Sequence, residues 1–281
     1  MSLPPLFRPG RFLGAGETGR ICLLGAPLDV TASYRPGSRF APGAIREASN
    51  SLEEYSLALD RELGELAYGD LGDLELAPGE VGRSLAAIEA AVGTLTEEGR
   101  LPFLLGGEHL VTLPAVRAVH RHHADLVVLH LDAHADLREE YGGETLSHAT
   151  VLRRVAELLG TGRVHHFGIR SATRSEAAFA REHTHPFRPV AELGAVARDL
   201  AGQPCYLTVD IDVLDPAYAP GTGTPEPGGI SSAALLEAFA GLAGINLAGL
   251  DLVEVLPASD PSGRTAVLAA KILREAILLF G

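Results

Sequence analysis

Three side chains that can bind a metal ion follow one short apolar run of this sequence. Asp132, His134 and Asp136 come directly after residues 126–131, at intervals of two residues. Residues two apart in extended backbone project from the same face, so these side chains can converge on one point. Carboxylates buried together repel one another, and a multivalent cation removes that cost. The spacing therefore predicts a cation site.

Three other apolar runs also contain or lead into ionisable residues. Asp210 and Asp212 follow residues 205–209 with the same two-residue interval. His109 comes shortly after the run 101–105, and Glu254 lies in the run 247–255. Taken alone, His109 fits a loop histidine and Asp210 fits a helix N-cap. Several strand ends with the same property favour one shared site.

The number and charge of the candidate ligands favour two metal ions over one. They are His109, Asp132, His134, Asp136, Asp210 and Asp212. The four carboxylates carry 4 × (−1) = −4, which two divalent ions balance. Six side chains are too many for one catalytic zinc with an open position, and carboxylate with imidazole suits Mn²⁺. Two ions roughly 3.5–4 Å apart would acidify a shared water into a nucleophile.

The remaining histidines receive no ligand role. His130 shares the face of Asp132 and is expected either to support that residue or to pack in the core. No role is assigned to the later histidines, which lack a carboxylate at a useful spacing: His165, His166, His183 and His185.

Apolar runs that alternate with amphipathic stretches must position these residues. The runs lack polar–apolar alternation, which is typical of strands buried on both faces, and parallel sheets are covered by helices in this way. In residues 81–98 the apolar side chains recur every three or four residues, which predicts a helix. We expect an α/β fold, a three-layer αβα sandwich with a parallel sheet, and ligands outside the carboxyl ends of its strands.

Composition excludes several functional classes. Lys and Arg number 23 against 36 Asp and Glu, a net charge of −13, which disfavours nucleic acid and anionic membrane surfaces. The only cysteines, Cys22 and Cys205, lie in apolar runs and are expected to be buried thiols. The N-terminus lacks the apolar region of a signal peptide, and no apolar run is long enough to span a bilayer. We expect a soluble, cytoplasmic protein.

Four blocks of this sequence together resemble the signature blocks of the ureohydrolase family, which includes the arginases and agmatinases. They are Gly-Gly-Glu-His (106–109), Asp-Ala-His-Ala-Asp (132–136), Ser-His-Ala-Thr (147–150) and Asp-Ile-Asp-Val-Leu-Asp-Pro (210–216). The blocks keep the family's order, and the resemblance extends from about residue 25 through the last predicted helix. It implies an eight-stranded parallel sheet, two Mn²⁺ per subunit, and a trimeric or hexameric homo-oligomer. We expect one domain over residues 1–281, with an N-terminal extension over about 1–19.

The resemblance also implies roles for individual residues. The six candidate ligands match the family's metal ligands, and Asp136 would also hold the bridging hydroxide by a hydrogen bond. His148 matches a histidine that shuttles protons. Glu254 matches the carboxylate that binds the guanidinium, and a buried partner of an arginine is the weaker interpretation of this residue.

Within the family, the sequence is most similar to agmatinases. The segments 34–40 and 221–229 carry this similarity, which implies hydrolysis of the guanidinium C–N bond of agmatine to urea and putrescine, a step of polyamine biosynthesis. The glutamates of the loop 137–147 would favour a small cationic guanidino substrate whose far end is an ammonium or a bare aliphatic chain. Arg138 is expected to be an outward-pointing surface charge, and the alternative is a contact with a substrate carboxylate.

Three alternatives remain open on the sequence. The first is a related guanidino-acid hydrolase of the guanidinobutyrase, arginase or formimidoylglutamase type. The second is a non-catalytic family member, which the full set of ligands disfavours. The third is a single-zinc deacetylase, which His109 and the second aspartate of each pair disfavour.

Overall fold

Strands and helices alternate along the chain as the apolar pattern predicts. The computed structural model describes residues 3–7 and 10–281. The strands are β1 (Leu6–Phe7), β2 (Ile21–Ala26), β3 (Tyr55–Ser56), β4 (Arg61–Glu62), β5 (Tyr68–Leu74), β6 (Leu101–Gly106), β7 (Val127–Leu131), β8 (Val164–Phe167), β9 (Pro204–Asp210) and β10 (Asn246–Val253). The helices are α1 (Ala41–Ser49), α2 (Val81–Glu97), α3 (Thr112–His120), α4 (Val151–Leu159), α5 (Arg174–His183), α6 (Leu193–Asp199), α7 (Ser232–Ala240) and α8 (Arg264–Phe280).

Within residues 3–7 and 10–281, the main sheet has eight strands in the order β1-β5-β2-β6-β10-β9-β7-β8. Seven of them are parallel, and β1 runs antiparallel to β5 at the edge. The predicted three-layer α/β sandwich is therefore confirmed, with seven parallel strands rather than eight. The eighth strand pairs only Leu6 and Phe7 with β5.

Helices cover the sheet on both faces. One core packs α1, α6, α7 and α8 against the sheet, and a second core packs α2, α3, α4 and α5 against the other face. Both cysteines are buried free thiols, as predicted. Among the described residues, no helix is both long and apolar enough to cross a membrane.

Strand β5 was not predicted, because its sequence is Tyr-Gly-Asp-Leu-Gly-Asp-Leu rather than an apolar run. Its buried Asp70 is stabilised by Arg46 of α1, whose guanidinium donates from Nε and Nη2 at 2.8 and 2.9 Å. The backbone N–H of Phe12 also donates to Asp70 at 2.7 Å, so the N-terminal segment packs against this strand. One domain over residues 1–281 with an extension over about 1–19 stays a prediction, and residues 1–2 and 8–9 lie outside the described residues.

Candidate functional site

The carboxyl ends of four neighbouring strands meet at one edge of the sheet. β6, β10, β9 and β7 are adjacent in this order, and their registers align Val253 with Asp210 and Leu131 with Val209. All eight predicted site residues lie at these strand ends or in the loops that follow them: His109, Asp132, His134, Asp136, His148, Asp210, Asp212 and Glu254. Sheet order, which the sequence does not reveal, thus brings separate segments to one place.

His109 is surrounded by carboxylates. Its Nδ1 atom lies 3.1 Å from oxygens of both Asp132 and Asp136, and 3.5 Å from an oxygen of Asp210. The ring is 1% exposed, and none of these contacts has hydrogen-bond geometry. The structure therefore joins residues from three strand ends around one imidazole nitrogen.

The other ring nitrogen of His109 shows how the imidazole is oriented. Nε2 lies 2.9 Å from the hydroxyl of Thr208, and that hydroxyl donates to the buried Asp251 at 2.5 Å. Tyr206 donates to the second oxygen of Asp251 at 2.8 Å. Because the Thr208 proton is already used, Nε2 of His109 must be the donor in their contact. The lone pair of a neutral His109 ring is then on Nδ1, facing the carboxylates.

A second group of candidate ligands lies around His134. Its Nδ1 atom is 3.0 Å from Oδ2 of Asp212 and 3.6 Å from Oδ1 of Asp132. Asp212 Oδ2 is buried and has no hydrogen-bond partner among the described residues. Asp132 thus contacts both histidines, since its Oδ2 atom faces His109.

Two site residues have left-handed backbone conformations. Asp136 has φ of 52° and Glu254 has φ of 63°, a region that non-glycine residues rarely adopt. Backbone of this kind persists where surrounding structure requires it, and it is common at functional sites. The sequence gives no sign of it, because neither residue is a glycine.

The pKa values of these groups reflect crowded charge. Burial alone would lower the pKa of His109, but the neighbouring carboxylates raise it well above its ordinary value. Burial likewise opposes the rise at His134, whose pKa Asp132 and Asp212 raise to about 12. Burial, and then the charges of Asp212 and Asp132, raise the pKa of Asp210 well above its usual range. A site with these properties favours positive charge at its centre.

A cavity of about 320 Å³ opens beside this cluster. Asp136, His134, Asp210, Glu254 and His148 all line it. Of the eight predicted site residues, these five face open space. The sequence assigned them metal, substrate or proton-transfer roles.

His148 is held at the cavity wall by the loop after β2. Its backbone N–H donates to the Thr31 hydroxyl at 3.0 Å, and its ring Nε2 lies 3.1 Å from the Ser33 hydroxyl. Tyr141 contacts the ring edge to face, with centroids 5.7 Å apart. Burial lowers the pKa of His148 to about 4, so the ring is neutral at pH 7.

Glu254 is anchored through one carboxylate oxygen. Oε1 accepts the backbone N–H of His109 at 2.7 Å, and the residue is 8% exposed. Burial, and then the charge of Glu108, raise the pKa of Glu254 to about 8. Glu108 is itself fully buried and accepts the Thr31 backbone N–H at 2.8 Å. Sequence analysis gave Glu108 no role, although it lies directly beside His109.

One prediction is wrong at the mouth of the cavity. Arg138 does not point outward: it is half-buried, lines the cavity, and lies over the Tyr141 ring at 5.1 Å. Arg138 forms no ion pair within the described part of the chain. The stacking on Tyr141 keeps the guanidinium at the cavity wall instead of in solvent.

The donor set fits a divalent cation. Nδ1 of His109 faces carboxylate oxygens, and this atom and the buried Oδ2 of Asp212 both lack a hydrogen-bond partner among the described residues. Two groups of side chains are close enough to share an ion, namely His109, His130 and Asp132, and Asp132, His134 and Asp212. Carboxylate and imidazole together suit Mn²⁺ and similar ions.

Comparison with known proteins identifies relatives along almost the whole chain. The model of the arginase family matches residues 19–279. The agmatinase of Halalkalibacterium halodurans is 49% identical over 267 residues, which covers 93% of this chain and 92% of that protein. The guanidinobutyrase of Pseudomonas aeruginosa is 37% identical over 90% of this chain and 83% of that protein.

A solved structure agrees with these relatives. The crystal structure of agmatine ureohydrolase from Thermoplasma volcanium matches with a TM-score of 0.84 and 35% identity. The match covers 92% of this chain and 89% of that chain. The resemblance found in the sequence blocks therefore extends to the fold of most of the chain.

Proposed function

The chain belongs to the arginase family, and we propose that it hydrolyses agmatine to urea and putrescine, a reaction of polyamine biosynthesis. The observation that carries the proposal is the 49% identity to an agmatinase over 93% of the chain, against 37% to a guanidinobutyrase. The acidic cavity beside the cluster supports a cationic substrate.

The six clustered side chains would hold two Mn²⁺ ions, with Asp132 between His109 and His134. Nδ1 of His109 and Oδ2 of Asp212, both buried without a hydrogen-bond partner among the described residues, support this assignment. A divalent ion, when bound, lowers the pKa of water and so supplies a nucleophile at neutral pH. Asp136, which lines the cavity, would accept a hydrogen bond from that water.

Glu254 would bind and orient the guanidinium. Its Oε1 atom is fixed by the N–H of His109, and the residue lines the cavity. A carboxylate can accept two parallel N–H groups from guanidinium, which directs the central carbon to one position. A bound cation also favours the ionised form of Glu254, whose pKa is about 8 without it.

His148 would move the protons of the reaction. At pH 7 the ring is neutral, because burial lowers its pKa to about 4, so it can accept a proton from the attacking water. It would then transfer that proton to the departing amine nitrogen as the C–N bond breaks. The contacts from Thr31 and Ser33 keep the ring at the cavity wall during this transfer.

A second candidate, a guanidino-acid hydrolase, is favoured by Arg138. A half-buried guanidinium without an ion pair among the described residues would attract a carboxylate at the far end of the substrate. The same charge would repel the terminal ammonium of agmatine, so Arg138 distinguishes the two candidate substrates.

Urea release from agmatine, 4-guanidinobutyrate and arginine, each with added Mn²⁺, tests the proposal. We expect the highest kcat/KM with agmatine. In Arg138→Gln, kcat/KM for agmatine should stay the same or rise, and any 4-guanidinobutyrate turnover should fall about tenfold. Arg198→Gln removes an equal charge from the exposed surface of α6 and is the matched control. Preference for 4-guanidinobutyrate in the unmodified protein would reassign the substrate.

The proposal includes a homo-oligomer, trimeric or hexameric, in the cytoplasm. The oligomer is implied by the sequence resemblance, whereas the location is an expectation from the composition and hydropathy of the sequence. Light scattering after size-exclusion chromatography measures the subunit number directly, and a monomer would contradict this part of the proposal.

A further inference from the structure

A pair of histidines extends from Asp132 into the interior of the sheet. The parallel register of β7 and β8 places His130 directly beside His166. Their Nδ1 atoms are 2.8 Å apart, and the rings meet edge to face with centroids 5.1 Å apart. The other nitrogen of His130, Nε2, lies 2.9 Å from Oδ2 of Asp132. His130, His166 and Asp132 are all 0% exposed.

These contacts determine where the protons lie. An ionised carboxylate only accepts hydrogen bonds, so Nε2 of His130 must carry the proton in its contact with Asp132. A neutral His130 then has its lone pair on Nδ1, and Nδ1 of His166 must donate to it. These two ring protons satisfy both contacts without placing an imidazolium at zero exposure.

The surroundings of His166 agree with this arrangement. Its Nε2 atom is buried and has no hydrogen-bond partner among the described residues. With the proton on Nδ1, this atom is an unpaired acceptor; with the proton on Nε2, it would be a buried unpaired donor beside the Phe187 ring. The second arrangement is less favourable, because it leaves a buried donor unpaired and places the Nδ1 lone pairs of His130 and His166 2.8 Å apart.

We propose that His130 and His166 are positioning residues that hold Asp132 in its site conformation, with His130 in the Nε2–H form and His166 in the Nδ1–H form. His130 is therefore a partner of a ligand rather than a ligand. Asp132 needs such support, because its two oxygens face different histidines, His109 and His134. The inference rests on the metal site of the proposed function and is independent of the substrate.

Spectroscopy on the full chain tests the proton positions directly. Two-bond ¹H–¹⁵N spectra of protein labelled with ¹⁵N-histidine distinguish the two neutral forms and the imidazolium, and are recorded with and without Mg²⁺, a diamagnetic ion. We expect an Nε2–H pattern that is lost in His130→Asn and an Nδ1–H pattern that is lost in His166→Phe. An Nδ1–H or imidazolium pattern for His130 would overturn the proposal.

Metal affinity tests the positioning role. Electron paramagnetic resonance measures free Mn²⁺ during a titration and so gives the affinity of the protein for the ion. We expect this affinity to be lowered roughly tenfold or more in His166→Phe. His166→Asn retains an N–H at the place of Nδ1 and should restore most of that affinity. His165→Phe, a neighbour on the opposite face of β8, is the matched control and should bind Mn²⁺ normally. Unchanged Mn²⁺ affinity in His166→Phe would contradict the positioning role. If the original protein binds Mn²⁺ but does not hydrolyse agmatine, only the proposed substrate is contradicted.

Discussion

At the scale of single residues, the site depends on how each polar atom is already engaged. Glu254 has one oxygen fixed by the His109 N–H, and His109 has one nitrogen fixed by Thr208. The atoms that remain free are the ones that face the cavity or the cluster. Polar partners from other strands therefore decide which atom of each side chain is available for chemistry.

The spacing of Asp132, His134 and Asp136 made the site predictable, because short intervals reveal shared faces. Supporting residues such as Thr208 and His166 could not be predicted, since their contacts depend on strand register between distant segments. Arg138 was misplaced for a similar reason: only the folded loop brings it over Tyr141.

Replacing Glu254 with glutamine should abolish most activity while preserving the fold. The amide keeps one oxygen for the His109 N–H but loses the charge that would pair with guanidinium. Because hydrogen bonds between charged groups are strong in a buried site, we expect kcat/KM for agmatine to fall about 100-fold. Urea assays and thermal unfolding measure the two effects. Glu157→Gln, on the surface of α4, should leave both unchanged; activity within threefold of the original in Glu254→Gln would exclude the proposed role.

At the scale of elements, close contacts between backbone segments align the strand ends. Gly107, just after β6, packs against the loop after β2, where a β-carbon would lie 1.9 Å from the Leu28 carbonyl oxygen. Its own carbonyl accepts the N–H of Glu254 at 2.9 Å. Long apolar strands were predicted to within a few residues, whereas β5 was missed because Arg46 compensates its buried Asp70 only in the folded state.

Gly107→Ala should destabilise the protein and displace the site. The added methyl must push the Leu28 backbone away, which costs about 3 kcal/mol of unfolding free energy or more. Gly93→Ala is the matched control, because a β-carbon there meets nothing within 4 Å in the middle of α2. That substitution should stabilise the protein by about 0.5–1 kcal/mol. Urea unfolding curves measure both, and equal effects of the two substitutions would refute the close-approach argument.

The histidine pair at the edge strand β8 should make stability sensitive to acid. His165 stacks on His185 with centroids 3.7 Å apart, and burial, followed by His185 and Arg188, lowers its pKa to about 4. Between pH 6.5 and 4 the unfolded chain therefore binds a proton that the folded protein excludes, so stability falls as pH decreases through this range.

His165→Phe keeps a stacked ring and removes this titration. Between pH 7 and pH 4.5, the unfolding free energy of the original protein should fall by about 1–2 kcal/mol more than that of His165→Phe, after allowance for solvent screening. Denaturant unfolding at the two pH values gives the difference. The exposed His122, replaced with asparagine, is the control, and an identical pH dependence in His165→Phe and the original protein would contradict the assignment.

At the scale of the whole molecule, the site lies between the two layers of helices and joins strands that are far apart in sequence. Four strands each contribute a group to the site, namely β6, β10, β9 and β7. The distances between these groups therefore depend on the complete sheet and not on any one element. Periodicity in the sequence predicts the layers, but it does not give the strand order that makes these four ends neighbours. Ligand binding to such a site should therefore stabilise the entire fold.

Mn²⁺ should raise the stability of the whole protein, because it removes repulsion among Asp132, Asp136, Asp210 and Asp212. At a free concentration 100 times the Kd, one ion adds about 2.7 kcal/mol to the free energy of unfolding. For a chain of this size that corresponds to an increase in Tm of roughly 5 °C, and a second site adds to it. Thermal scans with chelator and with increasing Mn²⁺ measure the shift. Asp132→Asn should lose most of it, since Asp132 contacts both His109 and His134, whereas Asp125→Asn, exposed before β7, should retain it. A Tm that does not depend on Mn²⁺ in the original protein would overturn the proposed metal site.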